Sequence, residues 1–267
     1  MSLWSVLSSP VWGAGSVLLI LVLLLRLSVQ MWHKFYLWDL QHCSTDLTGK
    51  TAVVTGANSG IGKAVSQELA RRGARVILAC RSRERGQQAL AEIQVASKSS
   101  RLLLGEVDLS SMASIRSFAQ RLLQECPEIH LLVNNAAVCG LPTTLTPEGL
   151  DLTFATNYTG PFLLTNLLQG VTVNSVDPGV AYTKIMKHLS WSYRILFWLL
   201  SFFFKDSKQG AVPVLYLSLA KELDGISGKH FSSSCVITLP PEAAQDPHVA
   251  QSLWNTSVRL TNLDKVD

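Results

Sequence analysis

Three glycines set between a short apolar run and an amphipathic one restrict this chain more than any other feature. Thr51 to Thr55 (TAVVT) is apolar enough for a buried strand. Beyond it, Ile61, Ala64, Val65 and Leu69 recur at i, i+3, i+4 and i+8 before Gly73 stops a helix. The connecting turn reads Thr55-Gly56-Ala57-Asn58-Ser59-Gly60-Ile61-Gly62. Glycine permits the positive φ and close backbone approach that such a strand-to-helix turn needs. The helix also aims unpaired N–H groups and its positive dipole end at whatever fills the turn, which suits a pyrophosphate. A turn that uses glycine for its geometry alone is the alternative.

The unit repeats along the chain. Ala74 to Cys80 (ARVILAC) reads as a buried parallel strand, followed by a helix to about Val95 and a third strand near Leu102 to Val107. A helix from Ser111 to Leu123 and a fourth strand at Leu131-Leu132-Val133 follow. This alternation predicts an α/β fold with a doubly wound, Rossmann-like parallel sheet. A length of 267 residues suits one such domain plus an extension. About twenty residues past the glycines, where an NAD site places Asp or Glu against the ribose 2′-hydroxyl, the sequence reads Cys80-Arg81-Ser82-Arg83. Arg81 can pair with a 2′-phosphate, which points to NADP(H); a solvated basic turn is the other reading.

The N-terminus is of another kind. No charged side chain precedes Arg26, and from Val11 the run VWGAGSVLLILVLLL is almost wholly apolar. Together with Leu3 to Pro10 it reaches the roughly 20 residues that span a bilayer, though its strongest part is short enough to embed at an angle. A cleaved signal peptide is disfavoured, because no positive charge precedes the run and no small-x-small site follows Leu25. We therefore expect a membrane anchor over 1–30, a linker over 31–47 and a nucleotide-binding domain over 48–262. Basic residues follow the apolar run and none precede it, which places the domain in the cytosol. Five unpaired-looking cysteines (Cys43, Cys80, Cys126, Cys139, Cys235) agree with a reducing compartment. Six scattered histidines predict no metal site, and a net charge of +4 without a Lys/Arg run predicts no nucleic-acid partner.

The Thr-Gly-x-x-x-Gly-x-Gly spacing at Thr55, Gly56, Gly60 and Gly62 resembles the short-chain dehydrogenase/reductase family. Asp108-Leu109 after the third strand looks like that family's adenine-contacting pair. Asn134-Asn135-Ala136-Ala137 looks like its Asn-Asn-Ala-Gly motif, with Ala137 in place of glycine. Pro178-Gly179 looks like the Pro-Gly loop beside the nicotinamide, and Thr183 like the threonine that follows it. The strings TGANSGIGKA and ACRSRERGQQAL, the anchor, Gly228-Lys229-His230-Phe231 and Leu253-Trp254 look most like the retinol dehydrogenase branch. The resemblance covers nearly all of residues 48 to 262. It implies NADP(H) held by Thr55, Gly56, Asn58, Ser59, Gly60, Ile61, Gly62, Arg81, Asp108, Leu109, Asn135, Ala136, Pro178, Gly179 and Thr183. It also implies a lipophilic alcohol or aldehyde substrate such as a retinoid, and a domain at the endoplasmic reticulum membrane, facing the cytosol.

The family's catalytic set is Asn, Ser, Tyr and Lys, and here one member has a match. Asn157, in Thr156-Asn157-Tyr158-Thr159-Gly160-Pro161-Phe162, fits the Asn position on a helix running to about Leu168; a polar surface role is the alternative. After Gln169 the sequence passes directly to Gly170-Val171-Thr172-Val173-Asn174-Ser175-Val176-Asp177-Pro178-Gly179. The family places a Ser-bearing strand and a Tyr-x-x-x-Lys helix between those landmarks, so several tens of residues are absent. Ser175 imitates the serine strand, but Pro178-Gly179 identifies the later one. Tyr182 with Lys187 and Tyr216 with Lys221 stand five apart, and a spacing of four is what puts both side chains on one helix face. The expected fold therefore lacks one strand and one helix. One repair is expected to be available: the helix near Asn157 acts as a right-handed crossover, and Val171 to Val176 pairs beside the fourth strand.

Trp191 to Phe204 (WSYRILFWLLSFFF) is strongly apolar and too short for a confident span. The resemblance implies a substrate cover; a core or membrane-surface helix is the alternative. Three readings stand: a shortened, inactive or impaired oxidoreductase that binds NADP(H), a non-catalytic membrane protein that keeps the pocket for regulation or partners, or a chain that does not fold stably. The oligomeric state stays open, since the absent helix is one the family often uses for dimer contacts.

Overall fold

The computed structural model describes residues 20–22, 24–25, 27–28, 38–126, 128–168, 172–201 and 204–265. Four strands, β1 (Thr51–Thr55), β2 (Arg75–Cys80), β3 (Leu102–Glu106) and β4 (Leu131–Val133), form a parallel sheet in the order β3-β2-β1-β4. Val53 lies opposite Ile77 on one side and Leu132 on the other. The helices between them are α1 (Gly60–Arg71), α2 (Arg83–Ser97) and α3 (Met112–Glu125). A helical turn α4 (Leu152–Phe154), a π-helical turn Ala155–Thr159 and α5 (Gly160–Leu167) follow β4. Farther on come α6 (Trp191–Leu200), α7 (Ser207–Leu219) and α8 (Pro247–Thr261).

The strands are unbroken apolar runs because the sheet is covered on both faces. Ala52, Val54, Val76 and Leu78 join Val65, Leu69, Ile93 and Leu215 from α1, α2 and α7. Val53, Ile77 and Ala79 point the other way, into Ile115, Phe118 and Leu122 of α3 and Leu163 and Leu164 of α5. Successive residues therefore serve opposite cores, which is the doubly wound arrangement. Each fully buried Val, Leu or Ile adds about 1.5–3 kcal/mol, so β1 alone anchors both layers.

The second half departs from the expected repair. β5 (Ser175–Val176) does not pair with β4. It runs parallel to β6 (His230–Phe231), which in turn pairs antiparallel with β7 (Ile237–Thr238), in a separate three-stranded sheet. The reason lies in the partners this segment already has. Gly228 N–H donates to Val173 O, Ser175 N–H to Lys229 O and Asp177 N–H to Phe231 O. The Asn174 amide adds bonds to Ile226 O and Lys229 N–H. Residues 226–231 thus saturate one edge of a two-residue strand, and β4 is left as the rim of the first sheet. The strands thus fall into two sheets, with the break between β4 and β5; the junction residues 169–171 lie outside the described residues.

Most of the expected anchor and the start of the linker also fall outside them: residues 1–19, 23, 26 and 29–37. Among the described residues no helix is long and apolar enough to cross a membrane. Nearer the domain, Leu47 is buried, and Trp38, Leu40 and Cys43 pack on the α1 side of the core. Arg72 fastens this stretch, donating to Leu40 O (3.0 Å), Cys43 O (2.7 Å) and Thr45 O (3.2 Å) while its Nε holds Glu68. Burial alone would raise the Glu68 pKa, but the Arg71 and Arg72 guanidiniums outweigh it and hold the carboxyl below its usual range. This contribution is present at neutral pH and is lost as pH falls through the lowered value. Arg72→Ala strands three carbonyls and leaves Glu68 with Arg71 as its one guanidinium partner, so a loss of about 2–3 kcal/mol is expected in denaturant melts.

Candidate functional site

The turn after β1 folds as its glycines require. Gly56 and Gly60 have φ of +66° and +58°. A Cβ on Gly56 would sit 2.9 Å from Ala136 Cα, and one on Gly62 would overlap Asn135 Nδ2 and stand 2.7 Å from Gly56 O. These glycines let the end of β4 close over the start of α1. Thr55 is the hub of that closure: its hydroxyl accepts from Asn135 N–H and Ala136 N–H at 3.0 Å and donates to Val133 O at 3.3 Å. Asn135 Nδ2 donates back to Thr55 O at 2.9 Å. Thr55 and Gly62 therefore shape the site from beneath its surface.

Helix α1 begins without a side-chain cap. Ser59 occupies the N-cap position but bonds no backbone N–H, and no acid stands in the first turn. Four other helices are capped: α2 by Ser82, α3 by Ser111, α7 by an Asp206–Gln209 capping box and α8 by Asp246. The bare amides of α1 open into a cavity of about 470 Å³. Such a helix end, lined by a glycine turn, fits an anionic phosphate ligand.

The same cavity gathers most of the residues singled out in the sequence. Gly56, Asn58, Ser59, Gly60, Ile61, Arg81, Asp108, Leu109, Asn135, Ala136, Pro178 and Thr183 all line it. Thr55, Gly62, Gly179 and Asn157 do not. Gly179 has φ +75° and packs toward Ser233 and Lys205 instead. Asn157, exposed on the π-helical turn, grips the loop after β4, accepting from Val138 N–H (2.8 Å) and donating to Val138 O (2.9 Å). It orients a cavity wall, since Val138 and Thr156 are in the lining.

Several lining groups carried no signal in the sequence. Lys63 and Glu92 form an ion pair across α1 and α2, and hydrogen bonding from Lys63 holds the Glu92 carboxyl below its usual pKa. Arg85, Lys184, Lys187 and His188 complete a basic rim. Their positions depend on how α2 and the turn Lys184–His188 dock, which local patterning does not encode. Burial pushes the Cys80 thiol up to about 11, so it is an inert part of the wall. Lys205, buried beneath the Pro178-Gly179 loop, donates to Pro178 O (3.3 Å) and Ser233 O (3.2 Å), and burial lowers its pKa. Its one hint in the sequence is a lone lysine closing an apolar run.

Among the described residues no tyrosine lines this cavity, and Tyr182 lines the adjoining cleft with Lys184 and Lys187. The sequence has five tyrosines and none is followed by lysine four residues on. Tyr158 bonds Ser257, and Tyr216 packs edge-to-face between Trp38 and Phe231. Ser175 bonds His230 Nδ1 at 2.9 Å and is not in the lining.

A family model described as short chain dehydrogenase matches residues 50–170. Retinol dehydrogenase 12 of Mus musculus is 33% identical over 315 residues, covering 92% of this chain and 99% of the relative. Retinol dehydrogenase 11 of Homo sapiens is 32% identical, covering 92% and 96%. The chain belongs to the short-chain dehydrogenase/reductase family. Within it, the chain is retinol dehydrogenase-like. Among solved structures, a 3-ketoacyl-(acyl-carrier-protein) reductase from Brucella melitensis complexed with NADH shares the fold. Its TM-score is 0.55 at 18% identity, covering 70% of this chain and 97% of that one. The mouse alignment has 315 positions, and 92% of 267 residues fills roughly 246 of them, which leaves about 70 facing no residue of this short-chain dehydrogenase/reductase chain.

Proposed function

We propose that this chain is a retinol dehydrogenase-like oxidoreductase fold that binds NADP(H) and has lost the proton chemistry of its relatives. The observation that carries the reading is the cavity itself. The uncapped α1 terminus, Arg81, Asp108 and Ala136 line it, while among the described residues no tyrosine does. The residues fit the nucleotide: α1 amides for the pyrophosphate, Asp108 and Leu109 for the adenine, Pro178 and Thr183 for the nicotinamide end. NADPH over NADH is supported by charge, since Lys63, Arg81, Arg85, Lys184 and Lys187 face two acids, Glu92 and Asp108.

Bound NADPH supplies a hydride, and carbonyl reduction also needs a proton for the developing alkoxide. A tyrosine near pKa 10 gives one readily only when a lysine ammonium lowers that value. Here Asn157 holds the Val138 loop but donates no proton to a substrate. The chain would then keep nucleotide binding with turnover lost or strongly slowed, which suits a regulatory or partner-binding role at the membrane carrying residues 1–30, at the endoplasmic reticulum and facing the cytosol. Lipophilic ligands such as retinoids remain the substrate class of the reading.

The test is NADPH affinity by fluorescence titration of the full chain in detergent. Arg81→Asp removes one charge-assisted contact and adds a repulsive charge, so NADPH should bind at least roughly tenfold more weakly. NADH affinity should stay within a factor of about three, because its 2′-hydroxyl gains from an acid at this place. Equal losses for both nucleotides would remove Arg81 from the 2′-phosphate.

A further inference from the structure

Helix α6 exposes apolar side chains around most of its girth, Tyr193, Leu196 and Leu200 among them. Trp191, Ile195 and Trp198 recur at i, i+4 and i+7, so they form one line along the helix. They are 75%, 50% and 65% exposed. Burial needs do not explain this line, since no described element packs extensively against α6, and the helix faces the chain through Arg194 and Phe197, which line a cleft with Tyr182 and Thr183. A second feature gives the stripe its partner. From Pro178 to Lys205 the sequence has no Asp or Glu, and the exposed charges around the helix are Lys184, Lys187 and Arg194. Tryptophan beside aliphatic side chains with a purely cationic border suits the headgroup zone of an anionic bilayer. A protein partner of matching acidity or a second copy would have to supply acids that this face does not itself contain.

We infer that α6 is a membrane-docking helix, lying in the plane of an anionic leaflet with Trp191, Ile195 and Trp198 in the acyl boundary and Arg194 among the phosphates. This contact is separate from residues 1–30 and does not rest on the nucleotide reading. It would place the cavity rim formed by Lys184, Lys187 and His188 next to the bilayer, since these residues immediately precede α6.

The test uses the full chain, with Cys139→Ser removing the exposed thiol, in vesicles of phosphatidylcholine with or without phosphatidylserine. An environment-sensitive fluorophore is placed at Ile195→Cys, and in a second protein at Val95→Cys, which is 81% exposed on α2. The Ile195 probe should shift to the blue and lose iodide quenching in vesicles containing phosphatidylserine, while the Val95 probe stays in water. Arg194→Glu changes the local charge by two and should weaken the phosphatidylserine-dependent shielding on the order of tenfold or more. Both substituted positions are exposed, so the melting temperature and its response to NADPH report folding and nucleotide binding independently. An Ile195 probe that stays iodide-accessible in vesicles overturns the proposal. So does shielding that grows with protein concentration without lipid, which assigns the face to a second copy. Shielding produced by retinaldehyde alone overturns it too, since α6 would then be a substrate cover.

Discussion

Mixed with retinaldehyde and NADPH, the purified chain is expected to consume nucleotide roughly 10² to 10⁴ times more slowly than retinol dehydrogenase 12, the range that general acid-base help supplies. The expectation follows from the composition of one cavity. Its lining holds no tyrosine, and the lysines on it are engaged or placed at the rim: Lys63 pairs with Glu92, while Lys184 and Lys187 lie on the exposed turn before α6. Lys205, the buried lysine nearest the Pro178-Gly179 loop, spends its ammonium on two carbonyls. The assay is nucleotide absorbance with product identification, against a no-enzyme control. A rate comparable to the mouse relative would show that another group has taken over proton donation.

The second large effect concerns Gly62→Val. A Cβ there overlaps the Asn135 amide and crowds Gly56 O, so the branched side chain must drive β4's end away from the turn. Overpacking of this kind costs about 3 kcal/mol, and moving Asn135 also breaks its bond to Thr55 O. The variant should melt well below the native chain and lose any stabilisation by NADPH. Gly49→Val is the comparison, because nothing lies within 4 Å of a Cβ at Gly49, although its φ of +81° carries some strain. If the two variants melted together, close packing at Gly62 would not be what shapes the site.

How much of this was legible beforehand follows from how local each signal is. The β1 turn, α1 and the two-faced burial of β1 and β2 rest on spacings within about ten residues, and the sequence reading placed those elements closely. Strand and helix ends moved by one or two residues, as with β3 ending at Glu106 instead of Val107. The fate of β5 was not legible. The segment Val171 to Val176 competes for two edges, and the winner is set by groups more than fifty residues away, among them Ser227, which donates to Val173 O. The cavity's basic rim was hidden for the same reason: Lys184 and Lys187 enter it through the docking of a turn, not through a pattern. Asn157 was found by its local string, yet its bonds to Val138 show a positioning task that the string does not express.

The melting temperature of the detergent-purified full chain, measured alone, with saturating NADPH and with NADH, tests the central claim most directly. At about 100 times its Kd, NADPH should stabilise the domain by roughly 2.7 kcal/mol, a shift of several degrees, with a smaller shift for NADH at the same concentration. That result means the cofactor half persists although the sheet is divided. A broad, non-cooperative transition, or one that NADPH does not move, would contradict the account and mean that the shortened chain does not keep a working nucleotide site.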